Sequence, residues 1–218
     1  KACDWLEFNH SFVKGAPPER LQSVSSYLSK RYSFRLIDIQ SKKDFYQYID
    51  RFFDAVNDSY KSLYGYHALT PAEAQRIKKK YFSYLSPKFV SIVVNQDDDI
   101  IAFAITMPSL SNAYKRARGH LFPFGFIHLL KALKKTKVMD LYLIGARPEY
   151  QSKGVVAMIF NQIWENFSEM GVDTLRFNPT LESNTRLFKI WNSIYPGDFL
   201  VDDQIKRRRC YSRNILET

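Results

Sequence analysis

The stretch Leu141-Tyr-Leu-Ile-Gly-Ala-Arg-Pro-Glu-Tyr-Gln-Ser-Lys-Gly-Val-Val156 carries the architecture of this chain in miniature. Leu141 to Ala146 is an apolar run that predicts a strand. A short polar turn follows, with Gly154 inside it. An apolar helix then starts at once, from about Val155 to Met170, and Gly171 closes it. Amides at such a helix start have no partner within the helix, and the helix dipole favours an anion beside them, above all a pyrophosphate. Lys153 adds a positive charge to the turn. By spacing alone the same pattern is also an ordinary strand-to-helix connector.

Upstream, Phe89 to Val94 and Ile100 to Thr106 are apolar, β-branched runs separated by Asn95-Gln-Asp-Asp-Asp99, which predicts a hairpin. Thr70-Pro-Ala-Glu73 is a capping box with Pro at the first helical position, opening a helix that runs to about Leu85. Ser41 caps an earlier helix, in which Phe45, Ile49, Phe52, Phe53, Val56 and Tyr60 recur at helical spacing as far as Gly65. Phe34 to Ile39 predicts a strand, and Glu19 to Arg31 a helix. Residues 1–20 look irregular, with Gly15, Pro17 and Pro18 marking a loop, so residues 1–33 are expected as an N-terminal extension or linker.

Downstream, Thr174 to Asn178 predicts a strand. Asn184 can cap a helix with Leu187, Phe188, Ile190, Trp191 and Ile194 on its apolar face. Two strands follow, about 199–204 and 208–215. This alternation predicts an α/β (α+β) domain over residues 34–218, with a mixed sheet and helices on both faces. A long insertion at about 109–138 interrupts it.

The chain has 218 residues, 45% hydrophobic and 16% aromatic, which is ample for a sizeable core and excludes disorder as the main state. Its 32 Lys and Arg against 22 Asp and Glu leave a formal charge of +10, suited to phosphates, acidic proteins, nucleic acid or a membrane surface. Cys3 and Cys210 are too few and too far apart in sequence for a disulfide scaffold or a zinc motif, so no metal site is expected and a reducing cytoplasm is the default. No apolar run approaches the roughly 20 residues that span a bilayer. KACDWLE lacks the basic head and apolar run of a signal peptide. With its start at Lys1 rather than Met, the chain is expected to be a piece of a longer protein.

Arg147-Pro-Glu-Tyr-Gln-Ser-Lys-Gly-Val resembles the acyl-CoA motif of the GCN5-related N-acetyltransferases, in which Gln or Arg, two residues, Gly, one residue and a small residue follow one another. Gln151 and Gly154 match; Val156 departs from the small residue. A narrower resemblance, to the C-terminal half of an uncharacterised bacterial two-part branch, rests on Asn57-Asp-Ser-Tyr-Lys-Ser-Leu-Tyr-Gly-Tyr66 followed by Leu69-Thr-Pro-Ala-Glu73, on Gly119-His-Leu-Phe-Pro-Phe-Gly125 and on Glu182-Ser-Asn184. The resemblance implies the acyl-CoA N-acyltransferase fold, with a mixed, mostly antiparallel sheet. It implies acetyl-CoA or another acyl-CoA as donor, and an unidentified amine that attacks the thioester directly. Backbone groups of Ile144, Gly145 and Ala146 would hold the pantetheine arm. Amides of Gln151, Ser152, Lys153, Gly154, Val155 and Val156 would hold the pyrophosphate.

The resemblance implies a proton donor seven residues after Asn184, where family members carry Tyr; here that position is Trp191, and Tyr195 lies one turn further on. Asn184 is itself a catalytic candidate, and for the base the candidates are Glu182, in the loop after the fifth strand, and Tyr150 and Glu149, which flank the phosphate turn. Two of these also have an ordinary reading: Glu182 as a capping or solvated carboxylate, Tyr150 as a ring packed on the turn. Arg176 and Asn178 share a strand face and could meet substrate or stand at the surface. His10, His67, His120 and His128 lack metal-ligand spacing, with His67 an outside candidate beside Tyr66.

From Ile100 to Met139 there is no Asp or Glu. Lys115, Arg116, Arg118, Lys131, Lys134, Lys135 and Lys137 are interleaved there with Phe124, Phe126, Ile127, Leu129, Leu130 and Leu133. Residues 115–137 could therefore dock an acidic acyl carrier protein or an anionic membrane. They could roof a pocket for a long acyl chain, or pack Phe126, Leu130 and Leu133 on the sheet and leave the lysines in water. Long-chain transfer from acyl carrier protein to an amino acid, or a non-catalytic CoA-binding or interaction module, are the alternatives to acyl-CoA turnover. Lys206-Arg-Arg-Arg209 begins a predicted strand, where alternate side chains face opposite ways, so nucleic acid ranks last.

Overall fold

A computed structural model describes residues 2–11, 15–82, 85–120, 122–185, 188–189 and 205–212. Its centre is a hairpin of two continuously apolar strands, β4 (Val90–Val94) and β5 (Ile100–Pro108). Both are buried on both faces, which is why their sequences do not alternate. Around them lies a six-stranded sheet in the order β2-β7-β6-β5-β4-β3, with β2 Asn9–Ser11, β3 Arg35–Leu36, β6 Val138–Ala146 and β7 Thr174–Phe177. All neighbours are antiparallel except β6 and β7, whose crossover is the helix predicted after Gly154.

The two faces of β5 feed separate cores. Ala102 and Ala104 face a layer containing α1 (Glu19–Tyr32) and α8 (Val156–Met170), whose Ile159, Ile163 and Phe167 are buried there. Phe103 and Ile105 face α2 (Lys42–Tyr46) and α3 (Ile49–Tyr60), where Phe45, Phe52, Phe53 and Phe82 pack ring on ring. The helix expected from Ser41 to Gly65 is therefore two helices, broken at Gln47 and Tyr48. The capping box at Thr70 is present, with the Glu73 carboxylate accepting from the Thr70 N–H at 2.9 Å. Helix α4 nevertheless ends at Ile77, and a widened π-turn over Lys78–Phe82 carries Phe82 into the ring cluster, 5.2 Å from Phe45.

Residues 1–33 are more than a linker. Cys3–Glu7 (β1) is the middle strand of a second sheet, flanked by β8 (Thr180–Leu181) and β9 (Lys206–Cys210), and β2 extends the main sheet beside β7. This was invisible in the sequence because β2 is a three-residue edge strand without periodic signal, and β1 buries Asp4 beside Leu6, which breaks the apolar alternation. Within the insertion, α5 (Ser111–Arg116) packs on α6 (Gly125–Lys134) between β5 and β6. Arg176 pins its base, donating to both Asp140 carboxylate oxygens at 2.7 and 3.0 Å and to the Ser109 and Ser111 hydroxyls. No helix among the described residues is long and apolar enough to cross a membrane. The helix predicted after Asn184 and the strand at 199–204 fall largely or wholly outside the described residues.

Candidate functional site

The site begins where two parallel strands part. β6 pairs with β7 from Val138 to Leu141 only. β6 then continues to Ala146, while the other chain turns away after Phe177 to reach β8. The wedge between them is a cavity of about 500 Å³, walled by Leu141 to Ile144 on one side and by Asn178 to Leu181, Cys3 and Trp5 on the other. A second cavity of about 350 Å³ opens beside it, between the end of α3, Ile144 to Ala146, Gln151, Val156 and Ser183 to Thr185.

Parting two strands leaves backbone groups without their ladder partners, and buried groups of this kind need replacements. Side chains supply them at alternate residues. Asn178 donates to the Tyr142 carbonyl at 3.4 Å. The Tyr60 hydroxyl donates to the Ile144 carbonyl at 2.9 Å and accepts from the Ile144 N–H at 3.2 Å. Gln151 donates to the Ala146 carbonyl at 2.8 Å. Burial holds the Tyr60 phenol far above the ordinary tyrosine range, so it stays protonated and can play both parts. Sequence reasoning missed this residue, because a tyrosine in an apolar helical stripe reads as core.

The segment from Lys61 to Leu69 borders both cavities, and one side chain holds it. Asn57 accepts from the Tyr66 hydroxyl at 2.7 Å and the Leu69 N–H at 2.8 Å, and donates to the Leu69 carbonyl at 3.0 Å. The Asn57 to Tyr66 pattern noted in the sequence is thus a loop clamp that places Leu63 and Tyr64 against both cavities.

The expected donor-binding residues divide. Ile144, Gly145, Ala146, Gln151 and Val156 line the smaller cavity together. Gly154 adopts a left-handed φ of +76° with open space around its Cβ position, so its backbone is approachable from outside. Ala157 and Met158 close the helix start on the Gly154 and Val155 carbonyls at 2.9 and 3.1 Å, and the Lys153 N–H is already given to the Tyr150 carbonyl at 3.1 Å. Ser152, Lys153, Gly154 and Val155 border neither cavity. Lys153 is turned elsewhere, its ammonium lying 4.8 Å from the Tyr150 ring centre and 5.1 Å from that of Tyr32.

The catalytic candidates divide as well. Asn184 borders both cavities. Tyr150 does not: its ring packs on Phe34 and its hydroxyl accepts from Asn95 at 3.3 Å, so it is a packing residue of the turn and not a group facing the wedge. Glu182 also borders neither cavity, and it is ion-paired to Arg207. Arg207 reaches Asp4 at 3.0 Å as well, Arg209 binds the same buried Asp4 at 3.0 Å, and Arg208 pairs with Glu7. The arginines of the Lys206 to Arg209 run are thus occupied in tying β9 to β1. His67 is exposed and lines neither cavity; Trp191 and Tyr195 lie outside the described residues.

Among the described lining residues there is no Asp, Glu, His, Lys or Arg. The titratable ones are tyrosines and the two cysteines. Burial pushes Tyr66 up, and burial followed by the Asp140 charge pushes Tyr142 up, so both remain neutral at ordinary pH. Cys3 and Cys210, distant in sequence, are register partners across β1 and β9, both as free thiols. Burial, then its hydrogen bond with Cys210, raises the Cys3 thiol. No group of three potential metal ligands occurs among the described residues. The described walls of the wedge can thus hold and orient a ligand through backbone, amide and hydroxyl groups, with no fixed charge among them.

No protein-family model matches the chain. It is 24% identical over 201 residues to protein YghO of Escherichia coli (strain K12), covering 89% of this chain and 49% of that protein, so it spans about half the length of the curated relative it matches. A GCN5-related glucosamine N-acetyltransferase region of a fungal multidomain GH3 β-N-acetylglucosaminidase superposes with a TM-score of 0.54 at 9% identity, over 96% of this chain and 20% of that one. The C-terminal domain of a putative lysylphosphatidylglycerol synthetase from Agrobacterium fabrum superposes less closely, with a TM-score of 0.46 at 14% identity, over 83% and 47%. The chain has an α+β, GNAT-like fold.

Proposed function

We propose that the chain is an acyl-CoA-dependent N-acyltransferase, most simply an acetyltransferase, whose donor occupies the smaller cavity and whose amine acceptor enters through the larger one. The observation that carries this reading is the parting of β6 from β7. It sets Ile144 to Ala146, Gln151 and Val156 on one wall beside the open start of α8. Those residues, with the Gly154 backbone, would hold an acyl-CoA, which would supply a thioester carbonyl already activated toward amines. The described residues around it carry no charge to lend. Asn184, on the border of both cavities, would orient the amine. The amine would enter neutral or lose its proton to water, since Glu182 is engaged with Arg207. In direct transfer the amine would form the amide bond as the C–S bond breaks, and the departing CoA thiolate would take a proton from water, with no nucleophile from the protein.

A second reading, a CoA-binding module without turnover, is favoured by that same lack of an acid or base on the described walls. Calorimetric titration with CoA, acetyl-CoA and a long-chain acyl-CoA tests both. Micromolar binding that persists as salt rises is expected, with chain-length preference naming the donor. Gly154→Trp should abolish binding while the protein still melts cooperatively, because space around Gly154 is open and the strained backbone costs only about 1 kcal/mol. Binding that survives Gly154→Trp would place the donor elsewhere. Donor binding without amine acylation across a panel of acceptors would select the second reading.

A further inference from the structure

We propose that the insertion is a docking face for an anionic lipid surface. This goes beyond the transferase reading and does not depend on it. No described residue of 109–137 lines either cavity, so the insertion does not roof the candidate site. Nor does it pack its apolar side on the sheet. Gly125 is the buried residue of α6, while Phe126, Leu130 and Leu133, spaced i, i+4 and i+7 and so on one stripe, stand in water. The preceding loop adds Phe122 and Phe124, 81% and 70% exposed. A soluble surface rarely leaves such a cluster uncovered.

The cations point the same way. Elsewhere several arginines are held by carboxylates: Arg51, Arg147 and Arg176 each hold an aspartate. In the insertion, Lys115, Arg116, Arg118, Lys131, Lys134 and Lys135 make no ion pair among the described residues, and none of 100–139 is acidic. Lys131 and Lys134 flank the apolar stripe on α6. Protruding aromatic rings with a stripe edged by free lysines suit a helix lying in a headgroup layer, rings inserted and ammonium groups at the phosphates. A soluble acidic partner would satisfy the lysines but would leave Phe122 and Phe124 without a reason to protrude.

The test is co-sedimentation of the full chain with vesicles of phosphatidylcholine alone or mixed with phosphatidylglycerol. Binding is expected only to the anionic vesicles. Lys131→Glu, Lys134→Glu and Lys135→Glu together should weaken it roughly 100-fold, at about fivefold per cation. Phe122→Ser with Phe124→Ser should weaken it at least roughly tenfold, and emission of a Phe124→Trp variant should shift to the blue on binding. These side chains are exposed, so the variants should keep the wild-type circular dichroism. No sedimentation with anionic vesicles, or sedimentation indifferent to the phenylalanine changes, would overturn the proposal. So would saturable binding to an acidic carrier protein without vesicle binding.

Discussion

Tyr60 is the residue on which the wedge most depends. In the sequence it is one more apolar position of a helix; in the structure its hydroxyl serves both backbone groups of Ile144. No periodicity could announce this, because the need arises only where β7 leaves β6. Gln151 and Gly154, by contrast, were legible, since a strand, a polar turn with glycine and an apolar helix are local features. Tyr60→Phe leaves an N–H and a carbonyl without partners and should destabilise the protein by about 1–3 kcal/mol. If the donor uses Ile144, CoA should raise the melting temperature of Tyr60→Phe more than that of wild type. Equal shifts in the two proteins would remove Ile144 from the donor site. Tyr150 teaches the opposite lesson. Its place beside the turn was correctly expected, but adjacency in sequence did not put it in the wedge, and its ring went to Phe34 and Lys153.

At the scale of elements, strongly patterned segments came through the sequence reading and short ones did not. The apolar runs of β4 and β5, the helix after Gly154 and the capping box at Thr70 each encode themselves locally. β1 and β2 do not, and their pairing with β8, β9 and β7 is a tertiary fact. The loop after α3 lies between these cases: its sequence pattern was visible, its purpose was not. Asn57 holds Tyr66 and Leu69 with three hydrogen bonds, so Asn57→Ala should cost about 2–3 kcal/mol and free the loop that borders both cavities. Amide exchange at residues 61–69 would then accelerate while exchange in β4 and β5 keeps its order. Unchanged exchange in the loop would show that the clamp is idle.

For the whole molecule, the charge of +10 is unevenly used. Arginines at the β1–β9 edge are neutralised by Asp4, Glu7 and Glu182, the cations of the insertion other than Lys137 make no ion pair among the described residues, and the described walls of the wedge carry none. This separation predicts a pH profile. Tyr60, Tyr66 and Tyr142 are shifted upward and stay neutral, so log kcat/KM should rise with unit slope to the pKa of the amine acceptor. No further inflection should appear between about pH 6 and 8. An inflection in that window, independent of the acceptor, would reveal a protein base on the wedge. The central claim is that the smaller cavity, between the end of β6 and the turn before α8, is the donor site, and backbone amide NMR during a CoA titration reads it most directly. Saturable shifts centred on Ile144 to Ala146 and Gln151 to Val156 are predicted. Saturable binding whose shifts fall elsewhere in the chain, or no saturable shifts at all, would contradict it.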